Sequence, residues 1–322
     1  MEARTGQLGR AAIVRFGRGV VAAWLLVLTV VQAAVLVLVW WIFLRTPHGQ
    51  VLDASVLRAS GIGRGPIEDL VGTMLNAVSF GSLLIATAVL CFIAVARRRY
   101  RLALVATMLI VGANLTSEIL KKYVIDRPDL GIAGTDIGAP NSMPSGHMTV
   151  AISIAVAAVL VLPPRLSSLT AVVGAVYATL TGVATLSAGW HRPSDALAAL
   201  LIVGTWAAGG GYLLVAAQRH QPVDEPADSH HRTVAILALV GGGLLVVAIL
   251  AVGLIDHAGL TPPVELDSNQ LVGAYVSGAA GVAGATCLVM AVVLSTVHRV
   301  VPKLHQPNLI EAIADHLPNP SR

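Results

Sequence analysis

The sequence has few charged residues, which make up only 12% of its 322 positions. Soluble domains carry about 25% charged residues, so this chain lacks the charge needed to cover a water-soluble globule of its size. The apolar residues, 56% of the chain, fall into runs longer than the ~18 residues that indicate a membrane span. This pattern excludes a soluble enzyme, a nucleic-acid-binding protein and a disordered scaffold. It predicts an all-α, polytopic membrane protein.

Cysteine is also scarce. Cys91 and Cys287 both lie inside apolar runs, where a thiol commonly behaves as a small hydrophobic side chain. We therefore predict no disulfide, metal or redox role for either residue. The net charge of +4 does not require an anionic partner, because basic residues beside membrane spans set their orientation.

Eight apolar segments predict eight membrane spans. They run roughly over Gly19–Leu44, Leu70–Ala96, Leu102–Val124, Met148–Leu162, Leu166–Ala188, Ala196–Ala217, Thr233–Ile255 and Leu271–Val297. We divide the chain into an amino-terminal tail (1–18), a six-span domain (19–217), a polar linker (218–232), two appended spans (233–297) and a carboxy-terminal tail (298–322). The glycine-rich appended spans are interpreted as packing elements.

The lysines and arginines predict the orientation of these spans. With eight spans, 14 of the basic residues fall on the side of the two termini and 7 on the other side. The side with the excess is cytoplasmic. We therefore expect a multi-pass protein of the cell membrane with both termini in the cytoplasm.

Polar residues gather at three places on the predicted outer side. The first motif is Lys121-Lys122-Tyr-Val-Ile-Asp126-Arg127-Pro128, the second is Asn141-Ser-Met-Pro144-Ser145-Gly146-His147, and the third is Trp190-His191-Arg192-Pro193-Ser194-Asp195. Each motif lies at the end of a predicted span. We therefore expect the three motifs to meet at one membrane surface.

The first two motifs have the chemistry of an anion site. An arginine fork binds two phosphoryl oxygens and a lysine adds a point charge, which suits Arg127 and Lys121. Ser145 is placed to cap the helix that follows, and the N–H groups of a helix start attract anions. His147 lies in the first turn of that helix, beside the expected anion.

The third motif has the chemistry of a nucleophile. His191 and Asp195 are four residues apart, and a carboxylate bound to one imidazole nitrogen raises the basicity of the other. Lys121, Arg127 and the N–H groups at the start of the helix form a cradle for an anion. Two histidines beside this cradle indicate phosphoryl transfer without a metal or other cofactor. One histidine would attack phosphorus and the other would protonate the leaving oxygen.

At these motifs the chain resembles the type-2 phosphatidic acid phosphatase superfamily, whose blocks are Lys-x6-Arg-Pro, Pro-Ser-Gly-His and Ser-Arg-x5-His-x3-Asp. The second block is matched in full, and His191 and Asp195 match the second half of the third block. The resemblance covers about Leu70–Ala217, with or without the first span, and implies a helical core with its site at the outer membrane surface. It implies His191 as nucleophile, Asp195 as its orienting group and His147 as general acid. It also implies a phosphate site formed by Lys121, Arg127, Ser145 and the Gly146 N–H.

Two departures from the family blocks affect the cradle. Five residues separate Lys121 from Arg127 where the family has six, so a strict alignment puts Leu120 in the lysine position. We favour Lys121 as the phosphate ligand and keep Lys122 in reserve. The Ser-Arg that should open the third block is Ala184-Thr185 here, and we predict that Arg192 replaces the missing arginine.

The expected function is hydrolysis of a membrane-lipid phosphate or pyrophosphate, polyprenyl or glycerolipid, at the outer face. A lipid phosphotransferase using the same phosphohistidine is one alternative. A non-enzymatic lipid transporter or binding protein is the other, although the charged residues lie at span ends and not at mid-membrane. Glu118, four residues before Lys122, is interpreted as the ion-pair partner of that lysine.

Overall fold

The protein is described from a computed structural model over residues 2–61, 72, 73, 75, 80–132, 141–217, 230–257 and 267–301. These residues form helices, with no strand among them. The predicted 218–232 linker falls almost entirely outside the described residues, as does most of the 298–322 tail. The all-α prediction is therefore confirmed for the part of the chain that the structure describes.

The described ranges contain nine α-helices. They are α1 (Glu2–Arg45), α2 (Pro47–Ala59), α3 (Phe80–Ala96), α4 (Tyr100–Ile119), α5 (Gly146–Val161), α6 (Ser167–Ser187), α7 (Pro193–Ala217), α8 (His231–His257) and α9 (Ser268–Val300). A π-helical turn, Leu120–Val124, extends α4, and a 3₁₀ turn, Pro164–Leu166, precedes α6. Six of these helices, with their extensions, are long and apolar enough to span a membrane: α1, α4, α6, α7, α8 and α9. The apolar helices α3 and α5 are shorter.

The core of the bundle is formed by α4, α5, α6, α7 and α9, whose facing residues are fully buried. Met148 and Ile152 of α5 pack there with Leu200 of α7 and with Met290 and Leu294 of α9. The last helix is thus part of the core, while α8 packs mainly on α9. Cys91 and Cys287 are both free thiols.

The short helix α2 is fastened to the bundle by hydrogen bonds at its amino-terminal end. Thr46 caps α2 by accepting the Gly49 N–H, and Pro47 begins the helix. Gln50 is fully buried and donates to the carbonyl oxygens of Leu44 and Pro128, at 2.8 and 2.9 Å. These bonds fasten α2 to the segment that carries the first motif.

Candidate active site

The first motif lies on the π-helical turn that ends α4. Such wide turns are frequent at functional sites, and here the turn separates two adjacent lysines. Lys122 forms an ion pair with Glu118 at 2.8 Å on an exposed surface, as expected for that glutamate. Lys121 is directed to the start of α5, where its Nζ would lie 3.8 Å from a Cβ added to Gly146. The structure therefore brings Lys121, and not Lys122, into the site.

The second motif begins α5. The Ser145 side chain accepts the Met148 N–H at 3.3 Å, as expected of an N-cap residue. The first N–H groups of a helix have no acceptor within it, so those of Gly146 and His147 are available to an anion. The Ser145 N–H donates to the Asp195 carbonyl oxygen at 3.0 Å. This bond joins the start of α5 to the start of α7.

The loop before α5 is held by Asn141. Its side-chain amide donates to the carbonyl oxygens of Ile125 and Met143, at 2.7 and 3.1 Å, and its Oδ1 accepts the Met143 N–H. The Met143–Pro144 peptide that follows is cis. One side chain therefore connects the first and second motifs.

The third motif places a histidine on a buried carboxylate. His191 Nδ1 lies 3.2 Å from Asp195 Oδ2, which leaves Nε2 as the atom that faces a substrate. The same Asp195 oxygen accepts from the Arg192 N–H at 2.9 Å and from the Ser142 hydroxyl at 2.6 Å. Asp195 is fully buried, so these donors fix the carboxylate, and the carboxylate in turn fixes the imidazole.

The two histidines face each other across the site. The ring centroids of His147 and His191 are 6.2 Å apart, with the rings at 64°. That separation leaves room for a phosphoryl group between an attacking nitrogen and a protonating nitrogen. The exposed Trp190 ring lies 5.5 Å from the His147 ring and borders the site on that side.

The position of the missing family arginine holds no cation. Thr185 is fully buried, its hydroxyl donates to the Gly182 carbonyl, and its own carbonyl accepts the N–H groups of Trp190 and His191. Arg192 instead lies buried beside Asp195, and its Nη1 donates to Ser142 at 3.1 Å. The geometry thus places a second arginine in the loop that carries His191.

One buried carboxylate in the site, Asp53 of α2, was missed by the sequence reasoning. Its Oδ2 lies 3.4 Å from Arg127 Nη1 and accepts the Ser194 hydroxyl at 2.5 Å. Its Oδ1 lies 3.4 Å from the Ser194 N–H. The signal in the sequence was a glutamine and an aspartate three residues apart, Gln50 and Asp53, which share one face of a short helix.

The charges of the buried site are balanced in pairs. Arg127 and Arg192 face Asp53 and Asp195, and all four side chains are almost completely buried. Burial and the nearby Asp195 charge raise the pKa of Asp53 to about 6, against the opposing effects of Arg127, Ser194 and Arg192. Burial likewise lowers the pKa of Arg192, with Arg127 adding to the effect, although a guanidinium stays protonated.

The structure therefore brings together the side chains expected at the site from all three motifs, apart from the reserve Lys122. Those residues are Lys121, Arg127, Ser145, Gly146, His147, His191, Arg192 and Asp195. Within the described ranges, no group of three or more His, Cys, Asp or Glu side chains is arranged to hold a metal ion. The arrangement combines a carboxylate-bound histidine, a second histidine and a cationic cradle. These groups are suited to phosphoryl transfer.

Comparisons with known proteins agree with this chemistry. The family model of the PAP2 superfamily matches residues 100–221, a range that contains all three motifs. Among solved structures, the chain is similar to a transmembrane PAP2-type phosphatidylglycerolphosphate phosphatase from Bacillus subtilis, with 20% identity and a TM-score of 0.43. That match covers 61% of this chain and 94% of the other. A comparison with curated proteins finds no match. The three motifs of the site therefore all lie within the part of the chain that is similar to the PAP2 superfamily.

Proposed function

We propose that this phosphatase hydrolyses a membrane-lipid phosphate or pyrophosphate, with a polyprenyl or glycerolipid chain, through a phosphohistidine on His191 and without a metal cofactor. The observation that carries the proposal is the pairing of His191 with Asp195, opposite His147 at a ring separation of 6.2 Å. A nucleophile and an acid on opposite sides of one space suit an in-line displacement at phosphorus.

In the first step, the Nε2 lone pair of His191 attacks phosphorus and the bond to the lipid oxygen breaks. His147 gives its proton to that oxygen, so the lipid leaves as an alcohol or, from a pyrophosphate, as a monophosphate. Asp195 holds the Nδ1–H of His191 and stabilises the positive charge that the ring acquires. The product of this step is a phosphoryl group bound to His191 Nε2.

In the second step, water attacks the phosphohistidine. His147, now neutral, accepts a proton from that water, and the P–N bond breaks to return His191 and release inorganic phosphate. The same residue thus serves first as acid and then as base. Both steps restore the protonation states with which the cycle began.

The cradle stabilises the negative charge on the phosphoryl oxygens that stay bound to phosphorus during the transfer. Arg127, Arg192 and Lys121 supply positive charge, and the N–H groups at the start of α5 supply aligned donors. These groups are held by buried hydrogen bonds before substrate arrives. Little reorganisation is then needed as the transition state forms.

A lipid substrate fits the location of the site. All three motifs lie at ends of apolar helices, at one end of the bundle, where a phosphate head can enter while its chain stays in the bilayer. The excess of basic residues at the opposite end supports a cytoplasmic location for both termini and an extracytoplasmic location for the site. Residues 19–217 form the catalytic unit in this proposal, and 233–297 form the two additional spans.

Release of inorganic phosphate by the purified protein in detergent tests the proposal. The substrates are a panel of lipid phosphates and pyrophosphates, with EDTA present, and His191→Ala is assayed beside the unmodified protein. We expect release that survives EDTA and is lost in the variant. Turnover that requires an added hydroxyl acceptor would identify a phosphotransferase instead, and lipid binding without turnover, unchanged in the variant, would identify a binding protein or transporter.

A further inference from the structure

Asp53 belongs to α2, outside the residues that match the family model, yet it lies at the centre of the buried charges. Its carboxylate connects Arg127 of the first motif with Ser194 of the third motif, which directly precedes Asp195. Gln50 fastens α2 from the other side by its bond to Pro128. The first and third motifs are thus connected through a helix that contributes no motif of its own.

In the described part of the chain, the charged groups that act on Asp53 are Arg127, Arg192 and Asp195. Arg127 attracts it at 3.4 Å, Arg192 attracts it more weakly, and Asp195 repels it. The cavity of about 310 Å³ that borders Asp53 adds no further charge, since its other walls are Phe43, Leu52, Ser55, Val56, Pro193, Leu197, four residues of α9 and five of α8 that are all uncharged. Asp53 is therefore balanced by the same arginine that is expected to hold phosphate.

This balance changes when an anion enters. A bound phosphoryl group brings a second negative charge to Arg127, and two anions sharing one buried cation repel each other. Protonation of one of them relieves the repulsion. Since Asp53 already has a pKa raised to about 6 by burial, its carboxylate is the group that can accept a proton near neutral pH.

We propose that Asp53 is a positioning residue whose charge is linked to phosphate binding: it holds Arg127 in the empty site and takes up a proton from solvent when an anion occupies the cradle. The proposal rests on the phosphate cradle of the proposed function. It gives α2 a role in the reaction that the family motifs do not contain. The Ser194 hydroxyl, which donates to the ionised carboxylate, opposes this protonation and tunes the pH at which it occurs.

The link between Asp53 protonation and anion binding predicts how the affinity for an anion changes with pH. Below pH 6 Asp53 is already protonated in the empty site, so anion binding takes up no proton there. Above pH 6 each anion that binds must bring a proton to Asp53, and binding weakens by up to a factor of ten for each pH unit. The Asp53→Asn variant has no such proton to gain, while its amide oxygen can still accept from Ser194.

Tungstate binding, measured by calorimetry on the full-length protein in detergent, tests this linkage because tungstate that is dilute enough not to condense to polytungstates remains a dianion from pH 5.5 to 7.5. We expect the unmodified protein and Asp53→Asn to bind alike at pH 5.5, and Asp53→Asn to bind about tenfold more tightly at pH 7.5. His147 and His191 are present in both proteins, so their contribution to binding cancels in the ratio. Asp126→Asn is the matched control, since Asp126 is exposed, pairs with Arg45 and lies at the same end of the bundle. It should follow the unmodified protein throughout.

A second variant keeps the test decisive if Asp53→Asn does not fold. Ser194→Ala retains every charge of the site and removes one donor to Asp53, so the pH at which tungstate binding begins to weaken should move upward. A ratio independent of pH for Asp53→Asn, an unmoved transition in Ser194→Ala, or no tungstate binding to the unmodified protein would each overturn the proposal. No turnover is involved, so tungstate binding with the expected pH dependence but no phosphate release from any lipid would reject only the proposed function.

Discussion

The two ends of the helix bundle both carry arginines, but they use them differently. At the site end, Arg127 and Arg192 are buried and face the carboxylates Asp53 and Asp195. At the opposite end, Arg97 and Arg101 donate to the carbonyl oxygens of Val161 and Ala217, the last residues of α5 and α7, at 2.8 and 3.2 Å. The first pair is organised around anions, and the second pair caps helix ends.

This difference separates the arginines that we propose bind phosphate from the arginines that cap helix ends. Both kinds lie at helix ends, and both contribute to the charge bias that orients the chain. Of these four arginines, only Arg127 and Arg192 have almost completely buried side chains, and a buried charge requires a counter-charge in the empty protein. Buried carboxylate partners, and not the number of basic residues, mark the end at which we propose that phosphate binds.

The largest expected effect is the loss of the nucleophile. His191→Gln keeps a polar side chain of similar size but cannot form a stable phosphoryl adduct, so phosphate release should fall by at least ~10⁴-fold. The measurement is the initial rate of phosphate release in detergent. At the opposite end, His298→Gln is the same substitution and should stay within twofold of the unmodified rate. Appreciable turnover by His191→Gln would mean that another group attacks phosphorus.

Replacing an arginine should affect phosphate release differently at the two ends of the bundle. Arg127→Ala and Arg192→Ala each remove cationic stabilisation of the transferred phosphoryl group and should lower kcat/KM by about 10²–10³-fold. Arg97→Ala and Arg101→Ala should change it by less than twofold, because they cap helices far from the motifs. The measurement is the rate of phosphate release by each of the four variants. The amounts of folded protein are first matched by size-exclusion chromatography. If Arg192→Ala were near normal while Arg127→Ala was inactive, Arg192 would not replace the missing family arginine.

The smallest contrast lies within the site end, between adjacent lysines. Lys121→Ala should lower kcat/KM by about tenfold, since its ammonium lies beside the start of α5. Lys122→Ala should change it by less than twofold, because an exposed pair such as Lys122–Glu118 contributes little. Equal losses in the two variants would show that both lysines reach the substrate, and a larger loss for Lys122 would reverse our assignment.

Much of this arrangement could be predicted from the sequence, because its signals are local. Long apolar runs predict helices, and short motifs at their ends predict a shared surface; the Ser145 cap and the His191–Asp195 pair both follow from spacing of four residues or fewer. The choice between Lys121 and Lys122 required the structure, since a π-helical turn changes the direction of successive side chains.

Asp53 could not be predicted in the same way. Its partners Arg127 and Ser194 are 74 and 141 residues away in the chain, so their contact depends on how α2 packs against the bundle. The core position of α9 was missed for a related reason. A glycine-rich apolar helix has the same composition whether it lies at the periphery or, as the close approach of Gly278 to Val56 shows, packs tightly against its neighbours.

The central claim is that His191 carries the phosphoryl group. The direct measurement is a rapid quench under alkaline conditions during turnover of a lipid pyrophosphate, followed by mass spectrometry of the peptides that contain His147 and His191. We predict a phosphoryl adduct on the His191 peptide, which appears before free phosphate and is absent from His191→Gln. Turnover with no adduct on either histidine, or an adduct on His147 alone, would contradict the account.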